Sequence, residues 1–447
     1  MQHDLPAARA TLPALSQHRW LRFATFTVFY IAQGFPIGLF SLAMPAWMLA
    51  NGMSAGEVGS FVGVSGLPWA MKLVVAPLMD RYQFLPMGRR RPWVVFAQMG
   101  VVASSLALLF VTDPSADLLL LTVAATAINA FSATQDVAVD GMAIDILPAE
   151  EQGRANGFMM GGQVFGMSIS GALSGTLLAV GGVPLAGMAL TAMVAFVSVL
   201  AFLFRERAGE RLLPWSPGAA TPRPDIPAHA GWGTIVLNLL RVLFVPMSLL
   251  LVLVELLFRT AGGIGVVMYP DIAVKTLGYS AENFAQYIAA TSAIAAVLGL
   301  AYGPLIDRFG ADRMLAVALF AIALVFGGIG LSHAAWSAPY VAPAAMFAID
   351  VVGQCVMVAM IALFMSACSP AVAASQFAVY MTTANLARSF GASAYDDIAA
   401  QLAVHQVFFL SATLALVAAL CMLAFDIRGM ARHRDAAPPA GPRPVFD

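Results

Sequence analysis

The sequence predicts an all-α polytopic membrane protein, with about twelve transmembrane helices in two pseudo-symmetric halves of six. Three observations carry this. Of 447 residues, 60% are hydrophobic and 11% charged, against about 45–50% and about 25% in soluble domains. The length accommodates about twelve runs of the roughly 20 apolar residues that a bilayer crossing needs. One turn also occurs twice between apolar runs. The first copy is Ala76-Pro77-Leu78-Met79-Asp80-Arg81, closing with Gly88-Arg89-Arg90-Arg91-Pro92-Trp93; the second is Gly303-Pro304-Leu305-Ile306-Asp307-Arg308, closing with Gly310-Ala311-Asp312-Arg313. Ionised side chains packed so densely beside apolar segments belong at a membrane exit, and their recurrence marks a duplicated chain.

The expected organisation is an N-terminal segment (1–21), a first bundle (22–204), a linker (205–240), a second bundle (241–428) and a disordered tail (429–447). The polar start lacks a short apolar core with a small-residue cleavage site, so the first span serves as its own insertion signal. That span carries Gln33-Gly34-Phe35-Pro36, where glycine and proline loosen the backbone ladder and Gln33 offers a midplane contact. Ser54 and Glu57 have capping-box spacing at the start of the second span. Lys72, Asp80, Arg81, Arg89, Arg90 and Arg91 then form a candidate gate. In the fourth span Asp136 and Asp140 share a face. They are candidate proton acceptors, or Asp140 or Asp145 pairs with the basic turn as a latch to which Lys72 also belongs. The fifth span repeats glycine from Gly153 to Gly175, a spacing that lets helices approach closely, and holds Gln163 at the depth of Gln33.

In the second half, Glu255 and Arg259 stand one turn apart in the seventh span. They read either as a static pair or as a protonatable Glu whose partner arginine can be taken by an anionic solute. Asp307, Arg308 and Arg313 repeat the gate. Arg388, near the centre of the eleventh span, requires an anionic partner: Asp350 of the tenth span, Glu255, or a solute phosphate or carboxylate. Gln354 follows Asp350 by one turn. Asp396 and Asp397 suit a solvated entrance, and His333 and His405 the ends of spans. Cys355, Cys368 and Cys421 lie in apolar runs without metal spacing and read as packing residues.

The arginines outside the spans fall in the N-terminal segment, the basic turns, the stretch after the fourth span (Arg154), the linker or the tail, with Lys275 alone on the other side. By the positive-inside rule both termini are cytoplasmic. A net charge of −1 gives no basic excess for nucleic acid. Zinc spacing, nucleophile elbow and phosphate loop are missing, so neither an enzyme nor a cofactor is expected.

Asp-Arg followed by Gly-Arg between the second and third spans of each half resembles the major facilitator superfamily. Within it, Ala32-Gln33-Gly34-Phe35-Pro36-Ile37-Gly38-Leu39, the run from Lys72 to Arg91, Ala133-Thr134-Gln135-Asp136-Val137-Ala138-Val139-Asp140, and Ser375-Gln376-Phe377-Ala378 leading to Arg388 resemble the AmpG-like permeases. That group includes muropeptide importers and shares motifs with acetyl-coenzyme A transporters and some siderophore importers. The resemblance implies proton-driven import across a bacterial inner membrane. The expected function is thus a monomeric secondary transporter of a small, anionic or amphipathic solute, muropeptide foremost, by alternating access with the proton as coupling ion. A siderophore or acyl-coenzyme A carrier is the alternative within the fold. A non-transporting membrane sensor or partner protein is the alternative outside it.

Overall fold

The computed structural model describes residues 13–53, 55–114, 116–219, 231–273, 278, 281–336, 338 and 340–424. The Ser54 half of the expected capping box, Lys275 and the tail 429–447 lie outside the described residues, as does the side chain of Asp396.

The described residues are helical nearly throughout. α1 (Arg19–Ile37) continues through a π-helical segment, Gly38–Ala43, into α2 (Met44–Ala50). α3 (Ala55–Gly66) and α4 (Lys72–Arg81) are joined by a 3-10 turn at Leu67–Trp69. α5 (Arg91–Ser105), α6 (Leu118–Ile146), α7 (Gln152–Ala201) and α8 (Trp232–Leu243) follow. α9 (Pro246–Asp271), α10 (Ala281–Phe309), α11 (Ala311–Leu331), α12 (Val341–Ala367), α13 (Ala373–Ala399) and α14 (Val404–Ala424) complete the chain.

Ten helices among the described residues are long and apolar enough to cross a membrane. The helix around α7 spans 53 residues, about 80 Å at 1.5 Å per residue, against a hydrocarbon core of about 30 Å. It breaks at Gly182, whose φ of +63° suits glycine, and Pro184 starts the return. α13 falls outside the ten because Ser375, Gln376, Asn385 and Arg388 dilute its apolar residues. Counting the broken helix twice and adding α13 gives the twelve crossings expected.

Burial is inverted relative to a soluble domain. Arg89, Arg90 and Arg91 are among the largest fully buried side chains, while Phe110, Leu119, Phe196 and Leu324 are exposed. Apolar surface on this scale needs lipid rather than water.

The chain divides into two compact units. The first takes the described residues of Met1–Leu239 together with Ala296–Gly303 and Cys368–Thr382; the second takes those of Leu240–Ala295, Pro304–Ala367 and Thr383–Asp447. In the first, α1 crosses α7 with backbones touching: a Cβ on Gly34 would stand 2.5 Å from Met167 N, and one on Gly166 2.9 Å from Ile31 Cα. In the second, α9 crosses α13 the same way: a Cβ on Gly263 would stand 2.9 Å from Arg388 C, and one on Gly391 3.0 Å from Thr260 C. The two crossings use the first and fifth spans of each half and the same small-residue device. Elsewhere in the second unit the His333 and His405 rings stack, their centroids 4.6 Å apart.

Candidate functional site

The basic turn is built as a neutralised knot inside the first unit. Gly88 takes φ +103°, which only glycine adopts easily, and a Cβ there would meet Glu206 Cδ at 2.6 Å. The turn thereby lays three successive backbone N–H groups onto one carboxylate. Arg89, Arg90 and Arg91 donate to Glu206 at 2.9, 2.6 and 2.5 Å. An anion at the start of α5 meets unpaired amides and the positive end of the helix dipole, which is how a fully buried Glu206 is held.

The side chains point at two aspartates. Arg90 Nη2 reaches Asp80 Oδ1 at 2.6 Å and its Nε reaches Asp145 Oδ2 at 3.3 Å; Arg89 Nη1 reaches Asp145 Oδ1 at 3.1 Å and Pro370 O at 2.7 Å. Burial alone would lower the affinity of Arg90 for its proton, but Asp80, Asp145 and Glu206 outweigh it and hold the guanidinium above its ordinary value. Asp80 Oδ2 accepts from Ser375 N at 2.9 Å and Ser375 Oγ at 2.7 Å, in the first turn of α13. Arg91 instead donates to the carbonyls of Ala201, Arg211 and Leu212, tying the linker to the same knot. Beside it, Arg22 clasps Glu151 bidentately, with N–O distances of 2.7 to 2.9 Å.

Two expected members of the gate are elsewhere. Lys72 pairs with Asp136 on α6 and lies over the Trp69 ring at 4.7 Å, because α4 turns that face to α6 more than one turn before Asp80. Arg81 lies over the Tyr82 ring at 5.7 Å and forms no ion pair with the knot among the described residues. Asp140 also stands apart and accepts from Tyr30 OH; of the two aspartates weighed for the turn, Asp145 is the one that meets it. In the second copy Arg308 and Arg313 are exposed, and Asp307 is half-buried.

Toward the middle of the spans, Gln163 Nε2 donates to Gln33 Oε1 at 3.2 Å across the α1–α7 crossing. The other crossing carries charge. Glu255 Oε1 accepts from Arg259 Nε at 2.8 Å, while Oε2 is buried without a partner among the described residues. Gly263 and Gly391 bring α13 onto α9, and Arg388 is thereby within electrostatic range of Arg259. Arg388 is exposed and has no hydrogen-bond or ion-pair partner among the described residues. Asp350 accepts from Thr291 Oγ1 at 2.5 Å, and Gln354 is half-buried one turn on. Both carboxylates considered as partners for Arg388 are therefore engaged elsewhere.

The model of the Major Facilitator Superfamily matches residues 26–392. The chain belongs to that superfamily. It is a membrane transporter of a small-molecule solute, in a superfamily of transporters rather than enzymes. It is 26% identical over 379 residues to an anhydromuropeptide permease of Escherichia coli (strain K12), covering 83% of this chain and 72% of that one. Over 147 residues it is 26% identical to a putative AmpG transporter of Rickettsia typhi, covering 32% and 33%. These relatives place the resemblance among the AmpG-like permeases. Solved superfamily structures share the fold: the human organic anion transporter MFSD10 superposes with TM-score 0.67 at 15% identity, covering 91% of this chain and all of that one. The proton:xylose symporter XylE superposes with TM-score 0.65 at 12% identity, covering 91% and 95%.

Two substitutions probe the superfamily member's interior pairs. Lys72→Met strands a buried carboxylate and is expected to destabilise by about 3–5 kcal/mol, whereas Lys72→Met with Asp136→Leu recovers most of it; thermal unfolding of the two variants checks this. Tyr30→Phe removes a donor from buried Asp140 and is expected to cost about 1–3 kcal/mol by the same measurement. Glu206, Ser375, Tyr30 and Glu151 are structural partners that sequence reasoning did not name as site residues. Glu206 follows the sixth span directly and reads as linker charge; its meeting with the turn is tertiary. The Ser375 motif carried the only advance signal.

Proposed function

We propose that the chain is a proton-coupled importer of an anionic, amphipathic solute across a bacterial inner membrane, working by alternating access as a monomer, with anhydromuropeptide as the solute. The observation that carries this is Arg388. A guanidinium within a spanning helix is costly without an anionic partner, and this one faces a second cation, Arg259. A solute carboxylate bridging Arg388 and Arg259 removes both penalties through charge-assisted hydrogen bonds. The likeness to an anhydromuropeptide permease over most of the chain supports that solute.

Glu255 supplies the coupling. Its Oε2 is buried and unpaired, a condition relieved by a proton. Protonation weakens the hold on Arg259, whose guanidinium then takes the solute carboxylate, so proton and anion bind together. Asp350 and Gln354 of α12 are further solute-binding candidates in the second unit, as Gln33 and Gln163 at the α1–α7 crossing are in the first; Asp136 and Asp140 are the alternate proton sites. The knot of Asp80, Arg89, Arg90, Arg91 and Asp145 acts as the latch on one face, with Asp307, Arg308 and Arg313 as its second copy. The arginine distribution supports a cytoplasmic side for the latch and for both termini.

Uptake into liposomes by purified protein tests this, with an imposed proton gradient and labelled anhydromuropeptide, acyl-coenzyme A or ferric siderophore. Gradient-dependent accumulation of the muropeptide alone is expected. Accumulation of another solute moves the substrate, and binding of muropeptide without counterflow marks a sensor.

A further inference from the structure

The knot leaves one arginine of its own turn outside it. Asp80 and Arg81 are neighbours at the end of α4, yet Arg89 and Arg90 meet Asp80 while Arg81 forms no ion pair or hydrogen bond among the described residues. Its Nε is shielded from solvent without a partner, and its guanidinium lies against the Tyr82 ring. It lines a groove of about 630 Å³ with Tyr82, Phe84, Trp93 and Phe96. Trp93 Nε1 donates to Tyr82 O at 2.8 Å, and the Trp232 ring of α8 packs edge-on against Tyr82 at 6.3 Å, so the rim is fixed. Its outer wall is apolar and open: Phe96 is 56% exposed and Phe84 43%.

We infer that this groove binds the headgroup phosphate of an anionic phospholipid, with Arg81 as the phosphate ligand. Three requirements meet here. Charge complementarity comes from an arginine with unused donors, suited to phosphate oxygens. The aromatic rim matches the interfacial level at which Trp and Tyr sit in a bilayer. The exposed wall of Phe84 and Phe96, at the end of the spans formed by α4 and α5, receives the first methylenes of an acyl chain. Anionic lipid and basic residues near a membrane surface attract by about 1 kcal/mol per residue before any specific contact. A soluble ligand would leave the phenyl groups in water. The inference rests on the chain being membrane-spanning and is independent of which solute it carries.

The test is native mass spectrometry of the full chain, purified in detergent and incubated with phosphatidylglycerol or phosphatidylcholine. Wild type is expected to retain phosphatidylglycerol about tenfold better than phosphatidylcholine, and Arg81→Gln to lose that preference about tenfold, while Arg81→Lys keeps most of it. Arg308→Gln, which removes an exposed arginine lying over Phe309, should retain wild-type binding. Inorganic phosphate at millimolar concentration should leave the lipid in place. Undiminished binding by Arg81→Gln, an equal loss in Arg308→Gln, or displacement by inorganic phosphate overturns the inference. Should Arg81→Gln not fold, Phe84→Glu sets a like charge against the phosphate, and its unchanged lipid retention overturns the inference equally.

Discussion

Asparagine at position 80 is expected to destabilise the protein by about 3–5 kcal/mol, the scale on which removal of one partner of a buried ion pair is felt. Asp80 is the acceptor shared by Arg89, Arg90 and Ser375, and its side chain is fully buried. The amide keeps the shape and can still accept from Ser375. Two buried guanidinium groups then lose the carboxylate they share, so the loss is electrostatic rather than steric. Thermal unfolding in detergent reads it, and Arg90→Gln added to Asp80→Asn should restore part of the stability. Ser375→Ala, which removes one neutral donor, should cost about 1 kcal/mol. A loss below about 1 kcal/mol for Asp80→Asn would mean that water already screens the knot.

Valine at position 263 has the second large effect. A Cβ on Gly263 would stand 2.9 Å from Arg388 C and 3.0 Å from Ala392 N, both backbone atoms that cannot turn away as a side chain end can. α13 must retreat from α9, and Arg388 moves away from Arg259. Overpacking of this kind costs about 1–3 kcal/mol or more, and uptake should vanish even where folded protein survives. The neighbouring Gly262 is the internal control, since nothing stands within 4 Å of a Cβ there. Gly262→Ala should fold normally and gain up to about 1 kcal/mol of helix propensity. Normal uptake by Gly263→Val would separate the crossing from the site.

The sequence carried the fold on features that are local and periodic: apolar runs of spanning length, and a basic turn occurring twice. It also carried the residues of the charged crossing, because an ionisable side chain inside a span stands out by chemistry alone. What it could not carry was partner choice. Lys72 and Asp80 lie on one short helix, and only the rotation of α4 against α6 sends the lysine to Asp136 and the aspartate to Arg90. Arg81 looks like its neighbours in the chain, yet the helix turns it out to a groove. Glu206, the fully buried acceptor of three backbone amides, reads as one charge among many in a linker. The Gly263 and Gly391 pair is similar: each glycine is unremarked singly, and their reciprocal contact exists only once α9 and α13 cross.

Transport turns on Arg388 meeting the solute. The most direct measurement is uptake of labelled anhydromuropeptide into proteoliposomes under an imposed proton gradient, comparing wild type, Arg388→Ala and Arg388→Lys at equal amounts of folded, oriented protein. Wild type should accumulate the solute, Arg388→Ala should show none, and Arg388→Lys should retain a weakened fraction because it keeps the charge but loses the planar fork. Uptake by Arg388→Ala at the wild-type rate would contradict the account.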